Sequence, residues 1–391
     1  MRHLRERAAA WLAGPGRGLA DTGALLTGLS ELLCDLGLPL DRATTHAPTL
    51  HPSYRWVMRV WRPGGEMLTL RRPHGIETTP TFHGNTVEHV VAAGAPYRVR
   101  LDGSGPLPFP VLDALRAEGL TDYLIVPLPA SSGRTGAASW ATAQPGGFDA
   151  GEIADLIALG ASLSLVFELK ACESMLGDVL AAYVGRDPAR RIIAGGVRLG
   201  DVRVMRSAML LTDMRGFGAL SDASGPADLV ALLNAMFAAI VPAVQAEGGE
   251  VLKYIGDGLL AVFDASGDEA EARRRAFRAA QAALAAVART PDLPPVGAAL
   301  HAGEVAYGNI GAGDRLDFTA IGRDVNVLAR VEALCRTYGT PLLATGDFAQ
   351  GLGLPLEPID TVTLRGIGEP QTLYALTLEE DDRARLPRLT R

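Results

Sequence analysis

The spacing of hydrophobic residues changes along this 391-residue chain and divides it into two parts. In the first part, apolar residues at helical spacing predict helices over 22–36, 85–93 and 111–118. Short apolar runs bounded by turn residues predict strands over 56–60, 67–70, 123–128 and 137–142. This mixture of helices and strands predicts an α+β domain.

The first part closes with a helix whose start is marked in the sequence. Asp149 is followed three residues later by Glu152, a spacing that predicts a capping box and a helix to about Cys172. Residues 173–204 continue partly as a helix and then meet several glycines. This segment fits a helix that transmits a signal between two domains, and it fits a plain linker equally well. No helix is predicted over residues 1–20, because Gly14, Pro15 and Gly16 interrupt this segment.

The second part alternates strands with helices. Strands are predicted over 208–212, 250–255, 259–263, 296–301, 304–310 and 341–344, and helices over 227–244, 269–287 and 324–338. The alternation predicts one mixed sheet with helices on its outer face. The charged residues 379–391 are expected to be a disordered tail.

Composition narrows the function classes. Hydrophobic residues make up 48% and charged residues 21% of the chain, as in soluble globular proteins. The net charge of −7 gives no reason to expect a nucleic acid polymer as partner. Three scattered cysteines indicate a reducing compartment. No stretch is expected to span a membrane, so a cytoplasmic location is predicted, although the basic N-terminus could touch a membrane surface.

Two aspartates are candidate metal ligands. Asp213 follows a buried apolar run, and Asp257 lies between two glycines at the tip of a predicted hairpin. Carboxylates at the ends of neighbouring strands can hold two divalent metals against a triphosphate. Each also has a structural alternative. Asp-Gly is a strong hairpin signal, and Asp213 could cap the helix that follows it.

Further residues are candidates for binding the phosphate groups of a ligand. The glycine-rich turn after Asp213 exposes backbone amides of Arg215, Gly216, Phe217 and Gly218, which can cradle phosphate oxygens. In a later helix, Asn326 and Arg330 are four residues apart and share a face. The alternative for Arg330 is a solvated residue in an ion pair.

These segments resemble the catalytic core of the class III nucleotidyl cyclases. The resemblance rests on LLTDMRGFGAL around Asp213, GGEVLKYIGDGLLAVF around Asp257, and DFTAIGRDVNVLAR over 317–330. It implies a ferredoxin-like, mixed-sheet α/β (α+β) cyclase domain over 205–378. Before it, residues 20–172 resemble a GAF-like α+β sensor domain in layout only, joined by a helical linker over 173–204.

The resemblance implies roles for the candidates. Asp213, Asp257 and the backbone carbonyl of Met214 would bind two Mg²⁺ or Mn²⁺ ions in each active site. Asn326 would orient the ribose, and Arg330 would neutralise charge on the α-phosphate in the transition state. The family usually has Thr or Ser where this chain has Gly218, so one hydroxyl is missing there.

The choice of base follows from two more positions of the resemblance. Lys253 can donate to adenine N1, and Thr319 can accept from the adenine 6-amino group, whereas guanine presents the reverse pattern. An exposed strand residue and an ordinary β-residue are the structural alternatives for these two. The resemblance therefore favours ATP as substrate and cyclic AMP with pyrophosphate as products.

The family's sites are shared between subunits, which predicts a head-to-tail homodimer with two composite sites. The N-terminal domain would regulate the enzyme through an unknown sensor ligand. Two rivals stay open: a catalytically silent nucleotide-binding or dimerisation module in signalling, and a guanylate cyclase.

Overall fold

The computed structural model describes residues 2–76, 79, 84–196, 198–313, 315–353 and 357–375. Contacts divide the chain into two units, Met1–Ala182 and Tyr183–Arg391. The predicted domain limits at 20–172, 173–204 and 205–378 stay predictions. The predicted disordered tail, residues 379–391, lies outside the described residues.

The N-terminal unit is built from five helices and six strands within its described residues. The helices are α1 Arg2–Ala13, α2 Thr22–Asp35, α3 Thr86–Ala93, α4 Pro110–Ala117 and α5 Ala150–Val184. The strands are β1 Arg42–Pro48, β2 Trp56–Trp61, β3 Leu68–Arg72, β4 Tyr97–Arg100, β5 Asp122–Leu128 and β6 Gly136–Thr142.

These six strands form one antiparallel sheet in the order β3-β2-β1-β6-β5-β4. On one face, apolar residues of α1, α2 and α5 pack against Leu124, Val126 and Trp140. On the other face, α3 and α4 pack against Tyr123 and Ile125. Alternating residues of β5 therefore serve two cores, as the period of a strand requires. The predicted α+β layout is confirmed.

Three elements of this unit, α1, β1 and β4, were not predicted from the sequence. Residues 2–13 are helical, because Gly14 and Pro15 end a helix here and do not prevent one. The buried Leu4, Ala8 and Leu12 of this helix, spaced four apart, join the core beneath α2. The polar strand β1, which carries RATTHAP, was also missed, because its central position in the sheet is a tertiary effect.

The start of α5 confirms the predicted capping box. The Asp149 amide donates to Glu152 Oε2 at 2.7 Å, and the Glu152 amide donates to Asp149 Oδ1 at 2.7 Å. The helix continues beyond the predicted end at Cys172 to Val184. Part of the predicted linker is therefore one unbroken helix.

Helix α5 has a second apolar face in addition to the face that packs on the sheet. Residues at alternating spacings of four and three form this face, which we call the seam: Leu165, Leu169, Cys172, Leu176, Val179 and Tyr183. Leu165 is 72% exposed and Tyr183 86% exposed, and Cys172 is exposed with a free thiol. A 4-3 repeat of apolar residues is the pattern of a coiled coil.

The C-terminal unit has the remaining elements. Its helices are α6 Arg186–Ile193, α7 Phe217–Ala223, α8 Pro226–Ala246, α9 Glu269–Arg289, α10 Arg323–Tyr338 and α11 Gly346–Gln350. Its strands are β7 Val202–Met214, β8 Glu250–Ile255, β9 Gly258–Asp264, β10 Val296–Ala312, β11 Arg315–Ile321, β12 Leu342–Thr345, β13 Pro358–Val362 and β14 Gln371–Ala375.

The elements β7-α8-β8-β9-α9-β10 form the centre of this unit. Their strands lie in the order β10-β7-β9-β8, the split βαβ arrangement of ferredoxin-like folds. Strand β12 pairs in parallel with β10, which makes the sheet mixed. The predicted fold class is confirmed. The two strands predicted over 296–310 are one continuous strand, β10.

Helices cover both faces of this sheet, which corrects the expectation of helices on one face. Leu210 and Ala298 belong to the core beneath α8 and α9. Their neighbours along the strands, Met209 and Ala299, belong to the core beneath α10. The central strands are thus apolar on both sides, and continuous apolar runs carry no mark of which face each helix covers.

Two helices of the described residues, α5 and α8, are long and apolar enough to cross a membrane by length and composition alone. The expectation that no stretch spans a membrane stays a prediction. Each helix also packs one side on its own core, α5 through Leu156, Leu159 and Leu163 and α8 through Met236 and Ile240. The cytoplasmic location stays a prediction.

Candidate active site

Asp213 lies at the penultimate position of β7, where its side chain is half-buried. The structural alternative, a helix cap, does not hold. The residue at the N-cap of α7 is Gly216, and no side chain makes a capping hydrogen bond there. Asp213 is thus held by the strand and has no role in starting the helix.

Asp257 lies in the two-residue loop between β8 and β9. Ile255 pairs with Gly258, so Gly256 and Asp257 are the loop residues. A type I′ turn built on Asp-Gly would place Asp257 in the left-handed region together with the glycine after it. Here Gly256 adopts the left-handed conformation, with φ of 61°, and Asp257 has a negative φ. The turn therefore depends on Gly256 and leaves the Asp257 side chain free for another role.

The structure brings the two predicted carboxylates together. Strands β7 and β9 are neighbours, and Gly258 leaves room for the approach, because a Cβ there would lie 2.7 Å from the Thr212 carbonyl oxygen. Burial raises the pKa of Asp213, and the adjacent charge of Asp257 raises it further. Two carboxylates that destabilise each other's charge form a site that a cation would stabilise.

The oxygen donors here fit a hard divalent cation. The Arg215 amide donates to the carbonyl oxygen of Pro295, the residue before β10, so by antiparallel alternation the Met214 carbonyl points towards β9, the strand that follows Asp257. Within the described residues, no three or more His, Cys, Asp or Glu side chains are grouped to hold a metal. Mg²⁺ commonly binds to one or two carboxylates and completes its shell with phosphate oxygens and water.

One predicted phosphate donor is not available. The amide of Arg215 donates to the Pro295 carbonyl oxygen at 2.8 Å. The prediction of a phosphate-binding Arg215 amide is therefore wrong, because the pairing of β7 with β10 continues for one more hydrogen bond, between the residue after β7 and the residue before β10. The amides of Gly216, Phe217 and Gly218 open α7 and remain candidates.

The Arg215 side chain takes part in a buried ion pair that the sequence analysis missed. Arg215 Nη2 lies 2.9 Å from Glu332 Oε1, with side chains only 15% and 7% exposed. These two atoms are not aligned for a hydrogen bond. Burial raises the pKa of Glu332, while the charge of Arg215 opposes that rise and the charges of Asp213 and Asp257 add to it. Glu332 thus lies close to the acidic pair.

Gly297 makes space for this ion pair. A Cβ at this position would lie 1.5 Å from Arg215 Nη2 and 2.7 Å from Glu332 Oε1. One signal in the sequence could have revealed the pair. Glu332 follows Leu328 by four residues and Val331 by one, so it is an acid on the buried face of α10.

The two candidate base-reading residues lie on β8 and β11. Lys253 Nζ forms an ion pair with Asp317. Asp317 and Thr319 are two apart on β11, so their side chains share one face of that strand. The ion pair brings Lys253 to the segment that carries Thr319. Asp317 was not singled out for this contact, because the pairing depends on the sheet.

Asn326 and Arg330 are both exposed on α10. Helix α10 buries the neighbouring Val327, Leu328 and Val331 against the sheet, so the other face of the helix holds the two candidates. Within the described part of the chain, Arg330 forms no ion pair, contrary to its structural alternative. No described contact joins Asn326 or Arg330 to Asp213 or Asp257.

A model of a known protein family matches the segment that carries these candidate residues. Residues 203–341 match the family model of the adenylate and guanylate cyclase catalytic domain. These residues are therefore similar to the catalytic domain of adenylate and guanylate cyclases. All of the candidate residues, from Asp213 to Arg330, lie inside the matched region of the cyclase domain.

Curated relatives agree with the family. The chain is 31% identical over 195 residues to an adenylate cyclase of Anabaena cylindrica, which covers 46% of this chain and 38% of that protein. It is 26% identical over 217 residues to the terminal-differentiation specific adenylate cyclase of Dictyostelium discoideum, covering 51% of this chain and 10% of that protein. The match to the Anabaena protein thus spans well under half of that relative's length.

Solved structures also match the chain. A bacterial light-regulated adenylyl cyclase is 24% identical with a TM-score of 0.47, over 56% of this chain and 66% of that one. The guanylyl cyclase Cya2 is 24% identical with a TM-score of 0.40, over 44% of this chain and 92% of that one. The matched family model covers adenylate and guanylate cyclases alike, so the choice of base has to be argued from the site.

Proposed function

We propose that the chain is an adenylate cyclase that converts ATP to 3′,5′-cyclic AMP and pyrophosphate in a head-to-tail homodimer. The observation that carries the proposal is the facing pair Asp213 and Asp257, held at neighbouring strand ends in a cyclase domain. Neither the helix-cap nor the Asp-Gly turn alternative describes these residues. Regulation by the N-terminal unit is part of the proposal.

Asp213, Asp257 and the Met214 carbonyl would hold two Mg²⁺ or Mn²⁺ ions. When bound, such ions lower the pKa of the attacking ribose 3′-hydroxyl and stabilise the leaving pyrophosphate. The protein contributes rigidity, since β7 fixes Asp213 and the Gly256 turn fixes Asp257. The free amides of Gly216, Phe217 and Gly218 would bind phosphate oxygens.

The residues of α10 would act on the reacting centre. As the 3′-oxygen attacks the α-phosphorus and pyrophosphate leaves, negative charge builds on the non-bridging oxygens. Arg330, exposed and without an ion-pair partner among the described residues, would neutralise that charge. Asn326, one helical turn earlier, would hold the ribose by hydrogen bonds. A preorganised guanidinium supplies the electrostatic stabilisation that dominates phosphoryl transfer.

ATP is preferred because of the chemistry of Lys253 and Thr319. The Lys253 ammonium would donate to adenine N1, and the Thr319 hydroxyl would accept from the 6-amino group. Guanine would place its N1–H donor against the Lys253 donor. The ion pair with Asp317 orients the Lys253 side chain on the β8–β11 side of the sheet.

A second copy of the chain is part of the proposal because no contact among the described residues joins the acidic pair to Asn326 or Arg330. The acidic pair of one protomer would face Asn326 and Arg330 of its partner, and the reverse arrangement would form the second site. The seam of α5 supports pairing of two copies, since its residues have the 4-3 spacing of a coiled coil and all of them except the half-buried Val179 are exposed.

The proposal is tested by the turnover of the purified full-length chain with Mn²⁺ and either ATP or GTP. We expect cyclic AMP from ATP, a much lower rate with GTP, and loss of at least ~10²-fold in rate for Asp213→Ala and Asp257→Ala. Asp292→Ala, which alters a surface aspartate outside the site, is the matched control and should keep the wild-type rate.

Each rival predicts a different result. Preference for GTP would contradict the assignment of Lys253 and Thr319 and identify a guanylate cyclase. A folded dimer that binds nucleotide but makes no cyclic product, both as the full chain and as residues 200–391, would identify a silent module. Activity that survives loss of both aspartates would refute the two-carboxylate site.

The seam gives a further prediction. If two copies pair through α5 in parallel and in register, Cys172 faces the same residue of its partner, as d positions do in a coiled coil. Mild oxidation of the full chain should therefore give a covalent dimer that dithiothreitol reverses. Cys34 is only partly exposed and Cys335 is buried, so Cys172 is the accessible thiol.

Non-reducing electrophoresis after copper-phenanthroline oxidation measures the covalent dimer. Cys172→Ser should abolish it and Cys34→Ser should leave it. Introducing Glu at both Leu169 and Leu176 should prevent it, because like charges would then line the seam. Covalent dimer formation that persists without Cys172 would contradict parallel pairing through the seam.

A further inference from the structure

The N-terminal unit encloses a cavity of about 370 Å³ that no role assigned so far uses. It lies between the β1–β2 side of the sheet and helices α3 and α4. Its walls are largely apolar, with Trp56, Met58, Ile76, Val111 and Leu115 among the lining residues. This volume falls in the range of small-molecule sites, where a few polar groups fix the orientation of an apolar ligand.

One wall of the cavity holds a buried cation without a partner. Arg42 lines the cavity and is only 8% exposed. Among the described residues it forms no salt bridge and donates no side-chain hydrogen bond, and its Nε is buried without an acceptor. The nearby acid Glu118 is already paired with Arg62 at 2.5 Å. An unpaired buried guanidinium destabilises the folded state, and a bound anion would offset that loss of stability.

Four other polar side chains of the cavity pair with one another. Thr44 Oγ1 lies 3.1 Å from His46 Nε2, and the Tyr123 hydroxyl lies 3.1 Å from Thr86 Oγ1. Burial, together with the charges of Arg42 and Arg72, lowers the pKa of His46 to about 3, so this imidazole is neutral at pH 7. The positive charge of the cavity therefore comes from arginine alone.

Helix α3 adds a weaker contribution of the same sign. It starts at Thr86, with Asn85 as its cap, and both residues line the cavity. The partial positive charge of a helix N-terminus favours an anion nearby. Cationic residues and a helix start thus face one apolar chamber, and among the described residues no acidic side chain lines it.

We propose that this cavity binds a small organic acid, with the carboxylate on Arg42 and an apolar body against Trp56, Met58 and Leu115. The planar guanidinium matches the fork of a carboxylate. The apolar walls exclude an inorganic anion as the natural occupant, because most of the chamber would then be filled by water against hydrocarbon.

The experiment uses the full-length chain and intrinsic tryptophan fluorescence. All four tryptophans, Trp11, Trp56, Trp61 and Trp140, lie in the N-terminal unit, so a fluorescence melt reports on that unit. The probes are hexanoate, cyclohexanecarboxylate and phenylacetate at millimolar concentration, each beside its uncharged amide, and inorganic phosphate at equal ionic strength. At least one acid should raise the melting temperature by about 2 °C or more, and its amide should not.

Two variants locate the effect. Arg42→Met should lose the acid-dependent shift and keep or raise the melting temperature of the free protein, since it removes an unpaired buried charge. If Arg42 had only a structural role, the Arg42→Met variant would have a lower melting temperature than the wild type and would still respond to acid. Val111→Trp, at a partly exposed wall position, narrows the cavity while keeping Arg42 and should also lose the shift. Arg134→Met, in an exposed turn, should respond like the wild type.

Three results would overturn the proposal. The first is no shift with any of the acids, and the second is an equal shift with acid and amide. The third is a shift with inorganic phosphate alone. This result would mean that Arg42 binds a simple inorganic anion and that the apolar walls contact no part of the ligand. If Arg42→Met does not fold, the Val111→Trp comparison decides alone, because a shift retained in that variant would place the acid elsewhere.

Discussion

Mixing two inactive variants, Asp257→Asn and Arg330→Ala, should restore about a quarter of the wild-type rate of cyclic AMP formation. Random pairing at equal concentration makes half of the dimers mixed, and each mixed dimer has one intact site of two. In that site, Asp213 and Asp257 come from the Arg330→Ala protomer, and Asn326 and Arg330 come from its partner. The other site carries both defects.

The physical reason is the distribution of the site residues over one chain. Asp213 and Asp257 contact each other, whereas Arg330 lies on the exposed face of α10 with no described contact to them. An arginine that must neutralise charge on the α-phosphate has to approach within hydrogen-bond distance of it. Alone, each variant should therefore lose at least ~10²-fold in rate while keeping its fold and its dimer.

The measurement is turnover in a titration of one variant against the other after subunit exchange. Mixing Asp213→Asn with Asp257→Asn is the matched control and should stay inactive, because both changes fall in the same half of the site. Exchange itself is followed by native mass spectrometry. Mixed dimers without restored activity would show that each site is built within one chain, which would overturn the head-to-tail arrangement.

Replacing Glu332 with Ala should lower the free energy of unfolding of the C-terminal unit by about 3–5 kcal/mol. The change removes the nearest counter-charge of the Arg215 guanidinium, which stays buried, since Arg215 is only 15% exposed and a Cβ at Gly297 would already collide with it. The double variant Arg215→Met with Glu332→Leu should recover most of the loss, because it removes both charges and refills the space.

Urea unfolding followed by far-ultraviolet circular dichroism measures this effect. Tryptophan fluorescence, which reports on the N-terminal unit, should give the same midpoint in all variants. Glu271→Ala removes an exposed acid of α9 that pairs with Arg274, and it should cost less than about 1 kcal/mol. A Glu332→Ala loss of that same small size would mean that Arg215 finds water or another partner, and the buried ion pair would not be structurally important.

Most helices and strands follow from the sequence alone. The capping box of Asp149 and Glu152 is a local signal and is found with both of its hydrogen bonds. The two strand ends that carry the aspartates were also predicted. Strand β1 was missed because RATTHAP has no apolar alternation, and its position between β2 and β6 is set by the sheet around it. Helix α1 was missed because its glycines were read as interruptions when they mark its end.

The chemistry of the site was predictable as far as it depends on residue type. The pairing of Asp213 with Asp257 needed only neighbouring strands, and the structure has them. The ion pairs Arg215–Glu332 and Lys253–Asp317 each join elements far apart in sequence, so no local pattern specifies the partner. The occupied amide of Arg215 likewise depends on the length of β7 and its pairing with β10.

The unpartnered Arg42 has a consequence for how long the protein lasts in a cell. If the cavity binds an acid, the ligand stabilises the folded N-terminal unit by about 2.7 kcal/mol at one hundred times its dissociation constant. Chains without the acid would open more often and meet proteases more often. The concentration of the acid would then determine how much of the protein a cell contains, as well as how much of it has ligand bound. A cell that lacks the acid would degrade the protein and so lose its response to the acid.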